Sequence, residues 1–464
     1  MSDTKIINIS NAEKLDRSVP PKPGKPKDLN FPKFFETKTS NGITVLVIED
    51  KRLPLVTSRF VFKSGSYLDY FNEKKSGLAS LMSELLTKGT PSRVATQIAE
   101  EVDYIGASLS SGSDYDATYV SSYSLKKYFD IIFDIMCDII LNPVFAEEEI
   151  SRLKEQRLNS LLSMIDDGDY VSDKIFRRIV FKDTPYAYPG EGSKDSIERI
   201  NRDDILSLYK KIFVPENLIA AFVGDITPDE ALAKMDEKFS TWTKSEMSET
   251  KILEANETGK TKVYLSEKKE AVQSSLKVGH LGIKRNNPDF IPVFTMNMIL
   301  GGYFTSRINK NLREDNGYTY GARSHFSAYK HSGDFSVSTE VKNEITADTL
   351  KEIFKEIRDI KENFITDSEL QSVKSYISGN FPLQLETPNA IASKVINLKL
   401  HGLEDDYYNT YIRKVNEFTK KDIKDTAEKY LHPDNLIISI AGNTNKIIDD
   451  MKQFGEVEVI KDVI

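Results

Sequence analysis

Gly77-Leu78-Ala79-Ser80-Leu81-Met82-Ser83-Glu84-Leu85-Leu86-Thr87-Lys88-Gly89-Thr90 is the stretch on which the fold turns. Leu78, Leu81, Met82, Leu85 and Leu86 recur at helical spacing, so residues 73–89 read as a helix, with Gly89 as its stop. Working outward toward the N-terminus, the Asn41-Gly42 turn signal precedes an apolar strand from Ile43 to Ile48. Val56 to Lys63 then alternates, with Val56, Ser58, Phe60 and Phe62 on one face. On the C-terminal side, helical stretches are expected near 93–105, 126–141 and 146–164, with a strand pair near 107–123 between the first two. Strands and helices mixed in this way indicate an α+β fold.

The chain repeats itself. Tyr209, Pro215, Asn217, Ile219 and Gly224 return as Tyr430, Pro433, Asn435, Ile437 and Gly442, at a constant offset of 218 from the proline onward. Each segment reads as a helix end, a Pro/Asn turn and a buried strand closed by glycine. The same punctuation at the end of both halves indicates a duplicated domain. The polar stretch 244–260 is the natural linker. The expected division is an N-terminal arm (1–38), a first half (39–243), the linker (244–260) and a second half (261–464). The Pro-rich run Ser18 to Pro26 favours an extended arm, either a solvated tail or a strap along a partner or the second domain.

Composition narrows the function. Apolar residues are 39% and charged residues 29% of the chain, as in a globular protein rather than a disordered one. A net charge of −8 argues against a nucleic-acid partner. No apolar run reaches the length of a membrane span. The lone Cys137 sits in an apolar stretch and reads as buried and inert. The polar N-terminus lacks the apolar core of a secretory signal. A cytoplasmic location follows if that N-terminus is native, and a periplasmic one if a signal peptide has been removed.

The 77–90 segment resembles the helix of the pitrilysin/insulinase family of zinc peptidases, the inverzincins, which reads G-[LI]-A-H-x-x-E-H-x-x-F-x-G-T. That chemistry needs two histidines at i and i+4 to hold zinc and a glutamate beside them as general base. Here the frame residues Gly77, Leu78, Ala79, Gly89 and Thr90 match, and the chemistry does not. Ser80 stands at the first histidine, Ser83 at the glutamate and Glu84 at the second histidine. Alignment on Asp166-Asp167-Gly168 puts Ser160 at the third ligand, normally a glutamate. All five histidines (His280, His325, His331, His401, His432) lie in the second half. Glu84 reads as a solvated helix-face carboxylate or as a weak adventitious metal site. No metal is expected in this chain.

Residues 299–320, from Ile299-Leu300-Gly301-Gly302 through Ser306-Arg307 and Leu312-Arg313-Glu314 to Gly317-Tyr318-Thr319-Tyr320, resemble the family's second-half signature L-G-G-x-x-x-S-R-L-x-x-x-L-R-E-x-x-G-x-x-Y. The resemblance implies that Arg313 and Tyr320 face zinc across a chamber, the arginine clamping a substrate carbonyl and the tyrosine stabilising the oxyanion. Read from local sequence alone, Arg313 pairs with a nearby carboxylate and Tyr320 packs across strands. Gly301-Gly302 lacks the Lys-Ser/Thr of a phosphate loop and reads as a loop flanking the chamber. Ser306-Arg307 is expected to cap and anchor the following helix. His325 and His331 are expected at the surface on either side of a hairpin turn, and Tyr115 either lines the chamber or packs in its strand.

The fold implied by the resemblance is two homologous α/β sandwich half-domains, each a mixed, largely antiparallel sheet with helices on one face, like mitochondrial processing peptidase. The implied function is that of a non-catalytic subunit of a heterodimeric zinc metallopeptidase. A homologous partner chain would carry His-x-x-Glu-His and the zinc, and this chain would bind peptide substrate and present Arg313 and Tyr320. The alternative is an inactive structural or peptide-binding homologue, a scaffold or a homodimer.

Overall fold

The computed structural model describes residue 18 and residues 30–72, 74–244, 252, 255 and 259–461. Two six-stranded mixed sheets carry the chain. The first contains β1 (Phe35–Lys38), β2 (Thr44–Glu49), β3 (Leu55–Phe62), β4 (Ser108–Ser113), β5 (Thr118–Leu125) and β6 (Leu218–Gly224), in the order β1-β2-β6-β3-β5-β4. The second contains β7 (Lys262–Glu267), β8 (Gln273–Leu281), β9 (Ala322–Ala328), β10 (Gly333–Lys342), β11 (Ile437–Gly442) and β12 (Glu456–Ile460), in the order β12-β7-β11-β8-β10-β9. Five positions correspond in the two sheets, and one edge differs. β1 runs antiparallel to β2, whereas β12 runs parallel to β7.

The repeated Pro/Asn punctuation has a structural cause. Asn217 is fully buried, and its side-chain amide donates to the Ile212 carbonyl at 2.8 Å, tying the start of β6 to the end of the helix before it. Every residue of β6 is buried. Leu218, Ala220 and Phe222 face the helices of their own half, while Ile219, Ala221 and Val223 join the core built with the second half.

That second core comes from an exchange of helices. The helix Gly168–Val180 of the first half packs across β8 and β11, and the helix Pro388–Leu400 of the second half packs across β3 and β6. Each sheet therefore has its own helices on one face and a helix of the other half on the opposite face. Gly168 permits this approach, since a Cβ there would lie 2.4 Å from Ser275 Oγ. The halves are further joined by stacked Tyr186 and Tyr329, ring centroids 5.0 Å apart, with Arg177 donating to the Tyr329 hydroxyl. Tyr115 belongs to this junction, under the Arg177 guanidinium.

Folded structure begins before Thr39. β1 lies inside the expected arm, and Phe31 is buried against Tyr408 with its N–H donating to Asn409 Oδ1 at 2.8 Å. Glu36 pairs with Lys399 at 2.6 Å. Residues 30–38 thus strap onto the second half, through aromatic residues that the proline-rich composition upstream obscures. The arm before residue 30, Ser18 apart, and most of the 244–260 linker lie outside the described residues.

Candidate functional site

The helix Leu78–Leu85 begins at Gly77, whose φ of +89° and crowding against Glu191 O (2.9 Å from a built Cβ) exclude other residues. Asp69 caps its first turn, accepting the Ala79 N–H at 3.0 Å. Burial pushes the Asp69 carboxyl well above its ordinary range, against the pull of the helix N–H groups. Gly89, at φ +138°, ends the helical segment, and Thr90 donates to Asp138 Oδ2 at 2.6 Å. Gly77, Gly89 and Thr90 of this helix thus have structural roles of their own.

Ser80 and Glu84 leave one face of the helix, one turn apart. Arg157, on the helix Glu147–Met164, fills the space before them. Its Nη1 and Nη2 each donate to Ser80 Oγ at 3.2 Å, and Nη2 donates to Glu84 Oε1. Glu84 is thus neither a free solvated carboxylate nor a metal ligand, because a guanidinium holds it. Arg157 lies 73 residues after Glu84, within a turn of the expected third-ligand position. Ser160 itself is exposed, and its hydroxyl turns back to the Gln156 carbonyl. Ser83 is buried, and its hydroxyl donates to the Ser80 carbonyl at 2.8 Å, so nothing there can act as a base.

Zinc does not fit this donor set. Guanidinium has only donors and a permanent positive charge, and the serine hydroxyls are poor zinc ligands. Among the described residues, no group of three or more His, Cys, Asp or Glu could hold a metal ion. Sequence reasoning missed Arg157 because the family motif predicts ligands there and says nothing of a replacement cation.

In the second half, Gly301 packs on β9, where a Cβ would meet Ser324 Oγ at 2.4 Å, so the glycine pair serves close packing. Ser306 stands at the N-cap of the short helix Arg307–Asn309 but makes no capping bond, and its buried hydroxyl has no partner. The expected cap is therefore absent, and the anchor is Arg307, which binds Glu369 at 2.6 Å and Asp359 at 2.7 Å. Arg313 stacks over Phe304 at 4.3 Å from the ring centre. Its Nη1 is buried without a hydrogen-bond partner, and no ion pair forms with a carboxylate among the described residues. The loop after it is closed by Asn316, whose side chain donates to the Asn311 carbonyl at 3.0 Å, and by the Tyr318 N–H on the Leu312 carbonyl. Tyr320 follows with 98% of its surface exposed. Neither the local ion pair nor the cross-strand packing describes these two residues.

Two of the histidines, His280 and His331, are packed into the structure. His280 is buried, its Nδ1 2.6 Å from the Leu281 carbonyl and its Nε2 accepting the His432 N–H at 3.2 Å. Burial depresses its pKa to about 3. His325 is exposed on β9, but His331 is not a free surface group: it packs edge-on to Tyr67 of the first half, 5.8 Å away. Cys137 is buried, which pushes its thiol well up.

Residues 44–188 match the family described as Insulinase (Peptidase family M16), and residues 199–377 match the family described as Peptidase M16 inactive domain. The chain belongs to peptidase family M16. Among M16 relatives, the "Non-peptidase homolog YmxG" of Helicobacter pylori is 24% identical over 87% of this chain and 93% of its own length. An "Uncharacterized zinc protease" of Rickettsia bellii is 28% identical over 76% of this chain and 84% of its own. The solved peptidase M16 inactive domain from Pseudomonas fluorescens superposes with a TM-score of 0.83 at 25% identity, covering 88% of this chain and 98% of that one. A protease from Helicobacter pylori shares the fold, with a TM-score of 0.80 at 18% identity. By these matches this chain is an inactive M16 homologue, and its Ser80 and Glu84 are held by Arg157.

Proposed function

We propose that this chain is the non-catalytic subunit of a heterodimeric zinc metallopeptidase, binding peptide substrate and supplying Arg313 and Tyr320 in trans to the tetrahedral intermediate. The observation that carries the reading is the state of that pair. A large aromatic residue stands almost wholly exposed seven residues after an arginine whose buried Nη1 has no partner. Tyr320 lies two residues before β9, which is paired on one side only. An extended peptide added along the open edge of β9 would run past Tyr320 and Arg313. Zinc and the general base would come from a homologous chain with His-x-x-Glu-His.

In the transition state, the Tyr320 hydroxyl would donate to the developing oxyanion, a contribution of about 3 kcal/mol for one such donor. Arg313 would hold a substrate carbonyl in line. The test is zinc content and peptidase activity of the purified chain, alone and mixed with the His-x-x-Glu-His chain. Activity is expected only in the mixture. Metal-dependent activity of the isolated chain would overturn the reading, and a stable homodimer indifferent to the second chain would favour a scaffold.

A further inference from the structure

A separate cavity of about 290 Å³ lies among the helices Phe290–Asn297, Asp367–Leu383, Pro388–Leu400 and Tyr407–Glu417 of the second half. Its walls are aromatic, including Phe290, Phe381 and Tyr408. Two cations enter it, Arg285 and Lys394, and no carboxylate lines it.

Arg285 is 9% exposed, with its guanidinium 3.9 Å from the centre of the Phe290 ring and 5.2 Å from that of Tyr407. Its Nη1 is buried without a hydrogen-bond partner, as is the Tyr407 hydroxyl. Lys394 donates to Gln384 Oε1 at 3.0 Å and otherwise rests over the rings of Phe381 and Tyr408. Burial, and then the charge of Arg285, lower the basicity of its ammonium. Arg307 shows the usual alternative, a largely buried guanidinium held by two carboxylates. Burying one cation without an anion is unfavourable, and two beside one cavity more so. Ring faces and the neighbouring Tyr407 and Tyr408 hydroxyls compensate part of the charge but provide no anion, and Nη1 stays without a partner.

We infer that this cavity binds a small carboxylate with an apolar body, the carboxylate lying between Arg285 and Lys394 and the body against the rings of Phe290, Phe381 and Tyr408. The planar fork of arginine matches a carboxylate, and the size is that of a pocket for one small ligand. The ligand could be a free acid or the C-terminus of a peptide. The inference stands apart from the trans-acting role, since it uses none of the same residues.

The test is isothermal titration of the full chain with N-acetylphenylalanine, N-acetylphenylalaninamide, Gly-Gly-Phe and Gly-Gly-Phe-amide. Saturable binding of an acid, at least about tenfold tighter than its amide, is expected. Binding of the tripeptide acid alone identifies a chain terminus as the source, and binding of the acetylated acid identifies a free acid. Arg285→Gln and Lys394→Met should each weaken the acid by about tenfold and leave the amide unchanged. Lys394 is only partly buried, so its variant should fold even if Arg285→Gln does not. Equal binding of acid and amide, absence of saturable binding, or unchanged affinity in Lys394→Met would overturn the inference.

Discussion

The helix Leu78–Leu85 and the segment 298–320 hold equivalent places, the first connecting β3 to β4 and the second connecting β8 to β9. They have opposite polar states. In the first half the polar face of the helix is satisfied from within, because Arg157 binds both Ser80 and Glu84. In the second half Arg313 keeps a buried donor unpaired, and Tyr320 projects almost wholly into solvent. A buried unsatisfied donor costs about 1–3 kcal/mol, so a segment with no task would be expected to close it. The first site is closed by contacts within the chain, and in the second one donor of Arg313 and the Tyr320 side chain are left without them.

The largest expected effect comes from rebuilding the first site. Ser80→His, Ser83→Glu and Glu84→His combined with Arg157→Glu should raise bound zinc from trace to about one per chain, measured by metal analysis after dialysis. The same graft with Arg157 retained should bind zinc at least about a hundredfold more weakly, since a fixed cation would then face a dication within a few ångströms. Equal affinity in the two grafts would mean that Arg157 is incidental. Next in size, Arg157→Met leaves Glu84 unpaired on a half-exposed face. A loss of about 1 kcal/mol in urea unfolding is expected, with no change in zinc content.

A pH dependence also separates the halves. His280 has its folded pKa lowered to about 3, so its neutral form contributes stability that is present above the unfolded value near 6.5 and is lost as pH falls below it. Protonation would set an imidazole N–H against the His432 N–H. Between pH 6.5 and 4 the contribution should fall by about 1.4 kcal/mol per unit, and His280→Gln should flatten that slope. The first half has no histidine, so none of this dependence should come from it. Smallest of all, Ser160→Ala should change stability by less than about 0.5 kcal/mol and leave the complex's turnover intact, because its hydroxyl meets only its own helix.

Much of the fold was legible in the sequence. Helical spacing located the helix Leu78–Leu85, and the repeated Pro/Asn turns marked β6 and β11 because Asn217 makes a buried bond that the strand start requires. The exchange of Gly168–Val180 and Pro388–Leu400 between the halves was not legible. Amphipathic spacing shows that a helix has a buried face but not which sheet receives it. The start of β1 was hidden for a similar reason, since short strands beside proline-rich sequence carry little periodicity. At the candidate site, Ser80, Ser83 and Glu84 could be placed on one helix from the sequence. The Arg157–Glu84 contact spans 73 residues, and the open state of Arg313 depends on which carboxylates fail to reach it. Neither is a property of local sequence.

Turnover of a defined peptide by the reconstituted complex with the zinc-bearing chain, comparing wild type with Tyr320→Phe, is the most direct measurement of the trans-acting role. A fall in kcat by about a hundredfold to a thousandfold is expected, with assembly and zinc content unchanged. Unchanged kcat in an intact complex would contradict it, and would leave the exposed Tyr320 without a catalytic role.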